Sequence, residues 1–215
     1  MENKNELAVK PIHSLIIKFA LPSIIAFLVS SLYNIVDQIF VGNYSGYLGN
    51  AATSIVFPIF IFGMAIASCI SDGGVAYFSL QLGAGHKKIA EKIFGNVISL
   101  LIIFPLLITL GSYIFLDDML DFFGATKEIF PLAKSYAQIM FIGTPVFLLG
   151  MGLNAFIRAD GSPKYAMISM LIGAILNLIL DPIFIFTFDW GIAGAAWATV
   201  ISEIFSSMLF VIAFK

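Results

Sequence analysis

Charge is scarce in this chain: only 11% of its 215 residues are Asp, Glu, Lys or Arg, against about a quarter in soluble domains. That is too little polar surface to cover a water-facing globule of this length. Cysteine is nearly absent too. The lone Cys69 forms no intrachain disulfide and no zinc site. His13 and His86 have no partners at ligand spacing and read as solvated or interfacial side chains. No Ser/His/Asp or Cys/His set is present for nucleophilic catalysis, so an enzyme is not expected. The turn GAGHKK lacks the GK[ST] of a phosphate-cradling loop. A net charge of -2 and the lack of a basic, aromatic-interleaved stretch leave no nucleic-acid face.

What the chain has instead is apolar length, with 60% of its residues hydrophobic. Crossing a bilayer core of about 30 Å takes roughly 20 apolar residues at 1.5 Å each. Six stretches qualify: Ser14–Val41, Thr53–Leu82, Lys92–Leu116, Ile129–Arg158, Tyr165–Phe188 and Ala193–Phe214. The N-terminus is polar and then runs into more than twenty apolar residues without an A-x-A-like cleavage site, so the first stretch reads as a retained span rather than a signal peptide. The connections GNYSGYLGNAA, GAGHKKIAE, DDMLDFFGATKE, ADGSPK and DWGI are rich in turn residues, and none is a linker between domains.

The predicted fold is therefore an all-α membrane protein, a six-transmembrane-helix bundle over 14–215 preceded by a cytoplasmic segment, 1–13. With the N-terminus inside, the inner face collects Lys4, Lys10, Lys18, Lys87, Lys88, Lys92, Arg158, Lys164 and Lys215, while the outer face keeps Lys127 and Lys134. The positive-inside rule then places both termini in the cytoplasm of a multi-pass plasma-membrane protein. Tyr44, Tyr47, Tyr113 and Trp190 fall at the outer interface, where amphipathic rings prefer to sit.

Against this background two carboxylates stand out, Asp37 in the first span and Asp181 in the fifth. An ionised side chain at such depth costs on the order of 2.5–3.5 kcal/mol and usually pairs, protonates or binds a cation. Each sits on a polar stripe at helical spacing: Ser23, Ser30, Asn34 and Asp37 in the first span, and Ser169, Gly173, Asn177 and Asp181 in the fifth. The sixth span adds Thr199 and Glu203, and the fourth adds Tyr136, Gly143, Gly150 and Asn154. Counted from the outer ends, Asp37, Asp181, Thr199 and Tyr136 lie roughly 7–12 Å deep. One layer of hard oxygen ligands for a small cation, or a carboxylate pair sharing a proton, is the expectation. The plainer reading of the Asn and Thr is a helix-packing hydrogen bond, and of Asp37 a water-held interfacial side chain. Glu203, near mid-membrane, is a further proton or substrate-charge candidate, and Asp72 a local partner of backbone donors near Gly73 and Gly74. Pro22, Pro58, Pro105, Pro145 and Pro182 each remove a backbone donor, which favours bending. Pro22 and Pro182 share spans with the two aspartates.

Five segments carry a family resemblance: FALPSIIAFLVSSLYNIVDQIFVG, SDGGVAYFSLQLGAG, NAFIRADGSPKYAM, NLILDPIFIF and GIAGAAWATVIS. Together they resemble the N-terminal half of a multidrug and toxic compound extrusion (MATE) transporter. The resemblance implies one lobe of a two-lobe fold and cation-coupled antiport, driven by Na+ or H+, that exports organic, mostly cationic, amphipathic compounds. No organic cofactor is implied. It also implies a cation site, for Na+ if sodium is the coupling ion, on Asp37, Asn177, Asp181 and Thr199. Tyr136 and Asn154 match further polar positions of that lobe, Asn34 and Glu203 join the possible substrate or proton network, and Pro22 matches a helix-bending proline.

Two other functions remain open at this point: a lipid-linked precursor flippase of the same broad fold, and a non-transporting membrane scaffold. The flippase would need several cationic side chains in the cleft, yet no Lys or Arg lies deep in these spans. Family members have about twelve spans, so the missing partner is a C-terminal six-helix lobe or a second copy of this chain. One bundle lacks the opposing wall needed for rocking-type alternating access. Cells expressing residues 1–215 alone should show no drug efflux above background, and measurable export without a partner would refute this expectation.

Overall fold

The structure, a computed structural model, describes residues 11–213 and their side chains through 210; Lys4, Lys10 and Lys215 of the expected inner-face set lie outside the described residues. In chain order the helices are α1 (Ile12–Gly83), α2 (Lys87–Ile114), the short α3 (Leu116–Phe122), α4 (Phe130–Ala159), α5 (Pro163–Pro182) and α6 (Gly191–Ala213). A wider π-type turn, Ile183–Thr187, extends α5. No strand occurs among the described residues. Five of the helices are long and apolar enough to cross a membrane.

The first of these contains a reversal. Straight, its 72 residues would reach about 108 Å, more than three bilayer cores. Instead Gly46 adopts φ 63° and ψ -156°, a conformation essentially closed to residues with a Cβ, and the two arms fold back on each other. Thr53 Oγ1 donates to Gln38 Oε1 across the arms at 3.0 Å. A Cβ on Gly42 would sit 2.9 Å from Asn50 Nδ2, so the arms approach through a glycine. The sequence reading placed an eleven-residue loop here, GNYSGYLGNAA; the chain stays helical up to a turn at Gly46. A helix pairs its own backbone groups, which suits an apolar setting better than a loop. The connection DDMLDFFGATKE likewise contains a helix, α3. Asp117 and Asp118 lie in its first turn, where negative charge complements the helix dipole, and Lys134 Nζ pairs with Asp117 at 2.7 Å to tie it to α4.

Contacts fix the direction of the other rods. α5 and α6 are antiparallel: Tyr165 OH donates to Leu209 O at 3.0 Å, Ser206 Oγ to Ser169 O at 3.0 Å, and Asn177 Nδ2 to Thr199 Oγ1 at 3.4 Å. α4 and α6 are parallel, since Gly143 faces Val200 and Gly150, seven residues on, faces Ser207. A Cβ at Gly150 would lie 2.0 Å from Ser207 Oγ. Such small-residue contacts let helices approach where lipid supplies no hydrophobic drive. Val97 of α2 packs on Gly74 and Leu101 on Gly152, placing α2 between the second arm of α1 and α4. Near the Gly46 turn, Tyr44 OH donates to Asp189 Oδ1 at 2.5 Å and Phe40 meets Phe186 edge-on, which docks the first arm beside the end of α5.

Val41, Val56, Leu116, Leu120, Phe141 and Ile185 form the apolar core at that end, and Ala67, Val97, Leu101, Leu148 and Phe156 the core farther along. Outward-facing side chains such as Leu21, Leu28, Leu106 and Leu107 are large, apolar and exposed, the pattern of a lipid-facing surface. The backbone stays helical through Pro22 and Pro58, Gly46 being the one non-helical position inside α1. Pro182 closes α5 and leads into the wider turn.

Candidate cation site and cavity

The antiparallel register of α5 and α6 sets Asn177 beside Thr199, and helical spacing sets Asp181 one turn from Asn177. The Asn177 amide is fully engaged as a donor: Nδ2 reaches Asp181 Oδ1 at 3.3 Å and Thr199 Oγ1 at 3.4 Å. Across from them, on the first arm of α1, Asp37 Oδ2 accepts from Gln38 Nε2 at 3.1 Å. Asp181 is 0% exposed, Asn177 3% and Asp37 7%. Asp37 is near enough for its charge to act on Asp181.

The unpaired atoms matter most. Asp37 Oδ1, Asn177 Oδ1 and Asp181 Oδ2 are all buried without a hydrogen-bond partner. An orphaned buried acceptor costs about 1–3 kcal/mol, more when charged, and these three are drawn from α1 and α5. Carboxylate, carboxamide and hydroxyl oxygens are hard donors, suited to a small hard cation or to a proton. In donor type, Asp37, Asn177, Asp181 and Thr199 are compatible with the Na+ or H+ that the family resemblance implies for them.

A cavity of about 1020 Å³ runs alongside, with Asp37, Asn177 and Thr199 on its wall. Asp181 lies behind Asn177 and is not on that wall. Pro22, Asn34, Tyr136, Asn154 and Glu203 all line the same cavity, so the four separate stripes read from the sequence converge on one space. They do not all serve one point. Asn154 Nδ2 donates to Ala166 O at 3.4 Å, which joins α4 to α5, and Asn34 Nδ2 donates to Ser30 O at 2.7 Å within its own arm. Asp72 is exposed on the second arm and lines the cavity with Arg158. Pro182 sits beside Asp181 as the last residue of α5. Two residues escaped the sequence reading. Gln38, flanking Asp37, holds one of its oxygens, and Tyr33, one turn before Asp37, lines the cavity. The spacing of Tyr33 and Asp37 was a usable signal, whereas nothing in the pattern singled out Gln38.

Apolar rods with an outward greasy surface, flanking a mostly apolar cavity with polar side chains on its wall and a buried acid–amide–hydroxyl group beside it, define a multi-pass membrane protein. The MatE family model matches residues 22–183, and the chain belongs to that family. It is 34% identical to the multidrug export protein MepA of Staphylococcus aureus over 206 residues, covering 95% of this chain and 45% of MepA. Among solved structures it is similar to an outward-facing multidrug resistance MATE transporter of the MOP superfamily, with 30% identity, a TM-score of 0.87 and coverage of 93% of this chain and 44% of the other. It is also similar to a MOP superfamily transporter of Pyrococcus furiosus described as having a binding pocket of reverse polarity, at 29% identity and a TM-score of 0.90, covering 97% and 46%. The chain thus spans less than half the length of these relatives. It is not an enzyme, and its place is the cell membrane.

Replacing Asn177 with Ala removes the donor shared by Asp181 and Thr199. Thermal unfolding in detergent should show a loss of about 1–3 kcal/mol; Thr199→Val should cost less, about 0.5–1.5 kcal/mol. Equal and negligible effects would contradict the donor role of Asn177.

Proposed function

We propose that this chain is the N-terminal half of a cation-coupled multidrug exporter, with residues 14–215 forming six spans and both termini in the cytoplasm. The two arms of α1, together with α2, α4, α5 and α6, supply the six. The unpaired oxygens of Asp37, Asn177 and Asp181 carry the coupling reading, because they leave a buried set of acceptors that one Na+ or H+ would complete, with Thr199 as a fourth ligand. The cavity beside it suits amphipathic organic cations. Met64, Met140, Met167 and Met170 line it together with Phe57 and Phe147, and methionine adapts to varied apolar shapes. Tyr136, Asn154, Asn34 and Glu203 are polar positions on its wall that could meet substrate or protons. Similarity to MepA, a multidrug export protein, supports the same reading. Among the described residues, the charged side chains on the cavity wall are the acidic Asp37, Asp72 and Glu203 and the basic Arg158, a balance that disfavours an anionic lipid-linked cargo.

In the working cycle, an ion entering from outside neutralises the aspartates, the first arm bends near Pro22, and substrate is displaced outward. The second lobe, a C-terminal six-helix half or another copy of this chain, provides the opposing wall for alternating access. One charge entering down 100 mV releases about 2.3 kcal/mol, and a tenfold gradient adds about 1.4 kcal/mol, enough together for a substrate gradient of several hundredfold. If a monovalent organic cation leaves for each ion, the voltage contribution cancels and the chemical gradient alone remains.

The test is ethidium efflux from proteoliposomes holding this chain together with its opposing lobe, driven by an imposed Na+ or pH gradient. Asp37→Asn and Asp181→Asn should each reduce efflux to background. Wild-type efflux in either variant would overturn the coupling role.

A further inference from the structure

A second, smaller and more open crevice of about 550 Å³ runs along the first arm of α1 toward the Gly46 turn, with Asn50 reaching it from the second arm. Four carboxamides line it, those of Asn34, Gln38, Asn43 and Asn50; Asn34 and Asn43 are exposed and Gln38 and Asn50 half-buried, so the amides run from the open surface inward. Asn50 Oδ1 is buried there without a hydrogen-bond partner. Its Nδ2 lies against Gly42, where a Cβ would come within 2.9 Å, so the glycine makes room for the amide between the arms. Asn34 and Gln38 line both this crevice and the large cavity. Gln38 also holds Asp37 through Nε2 at 3.1 Å and accepts from Thr53 at 3.0 Å. Its amide therefore stands on the threshold between the crevice and the buried carboxylate. Gly42 is five residues past Asp37, so the distance covered along the arm is only about 8 Å.

We propose that this crevice is the access route by which a small monovalent inorganic cation travels from the outer face to Asp37, with Asn50 as a way-station and Gln38 as the final contact. The inference rests on the coupling role and the orientation given above. Neutral carboxamide oxygens suit the task because conduction needs sites that replace water without trapping the ion. An apolar lining would exclude the ion. The four amides offer graded replacement of hydration before the charged site is reached.

The route predicts an effect on rate without an effect on equilibrium. Currents from the reconstituted protein, recorded on a solid-supported membrane after a Na+ concentration jump, would report the on-rate and the half-saturating concentration together. Asn50→Leu should slow the Na+ response and Asn50→Asp should speed it, each by about tenfold, the lower end of electrostatic steering effects, with half-saturation unchanged. Opposite signs at one position are not produced by a packing defect. Unchanged rates in both variants, or equal slowing in both, overturn the route while leaving the Asp37–Asp181 reading intact. A response to a pH jump but not to Na+ also overturns the route and leaves that reading standing. A parent protein that answers neither jump overturns both.

Discussion

Buried carboxylates in an apolar bundle must be answered by donors or by positive charge, and the rest of this structure is arranged around that requirement. The Asn177 amide answers one oxygen of Asp181 and the hydroxyl of Thr199, and the Gln38 amide answers one oxygen of Asp37. Each aspartate is left with its other oxygen unmet. Full satisfaction by protein donors would make a rigid polar core with no reason to bind anything, and no satisfaction would be too costly to fold. Half-satisfaction stabilises the bundle without a ligand and, under the proposed coupling, leaves free energy to be gained on cation binding.

Helix packing supplies the geometry. Gly173 admits Ser206 of α6, and a Cβ there would lie 3.0 Å from the Ser206 Cβ, so α5 and α6 lie close enough for Asn177 to reach Thr199. Gly143 and Gly150 do the same for α4 against α6, bringing Tyr136 to the cavity from a third direction. Asp37 comes from the first arm of α1, positioned by the Gly46 reversal, the Thr53–Gln38 bond and the Tyr44–Asp189 contact. The polar groups are few, and the residues that place them are mostly small ones.

Much of this was legible in the sequence because membrane helices are long, regular and costly to make polar. Asp37 and Asp181 stood out on hydropathy alone, and a three-four-seven spacing with depth counting grouped Asn177 and Thr199 with them. The sequence could not show that Asp181 sits behind Asn177 while Asp37 faces the cavity, because helix rotation is set by interhelical contacts such as Gly173 with Ser206. The connection 42–52 was misread for a related reason. Its Gly, Asn and Tyr have turn character, but only Gly46 takes a turn conformation, and the neighbouring amides remain helical and line a crevice. Gln38 was missed because an amide next to an aspartate carries no periodic signal.

The central claim is that Asp37 and Asp181 serve one shared cation rather than two independent sites. Its most direct measurement is the thermal stabilisation of the purified protein across a Na+ titration and a pH series, for the parent, Asp37→Asn, Asp181→Asn and the double variant. A shared site predicts that either single replacement removes the whole cation-dependent shift and that the double variant loses nothing more. Partial shifts in each single variant that add up to the parent's would contradict it.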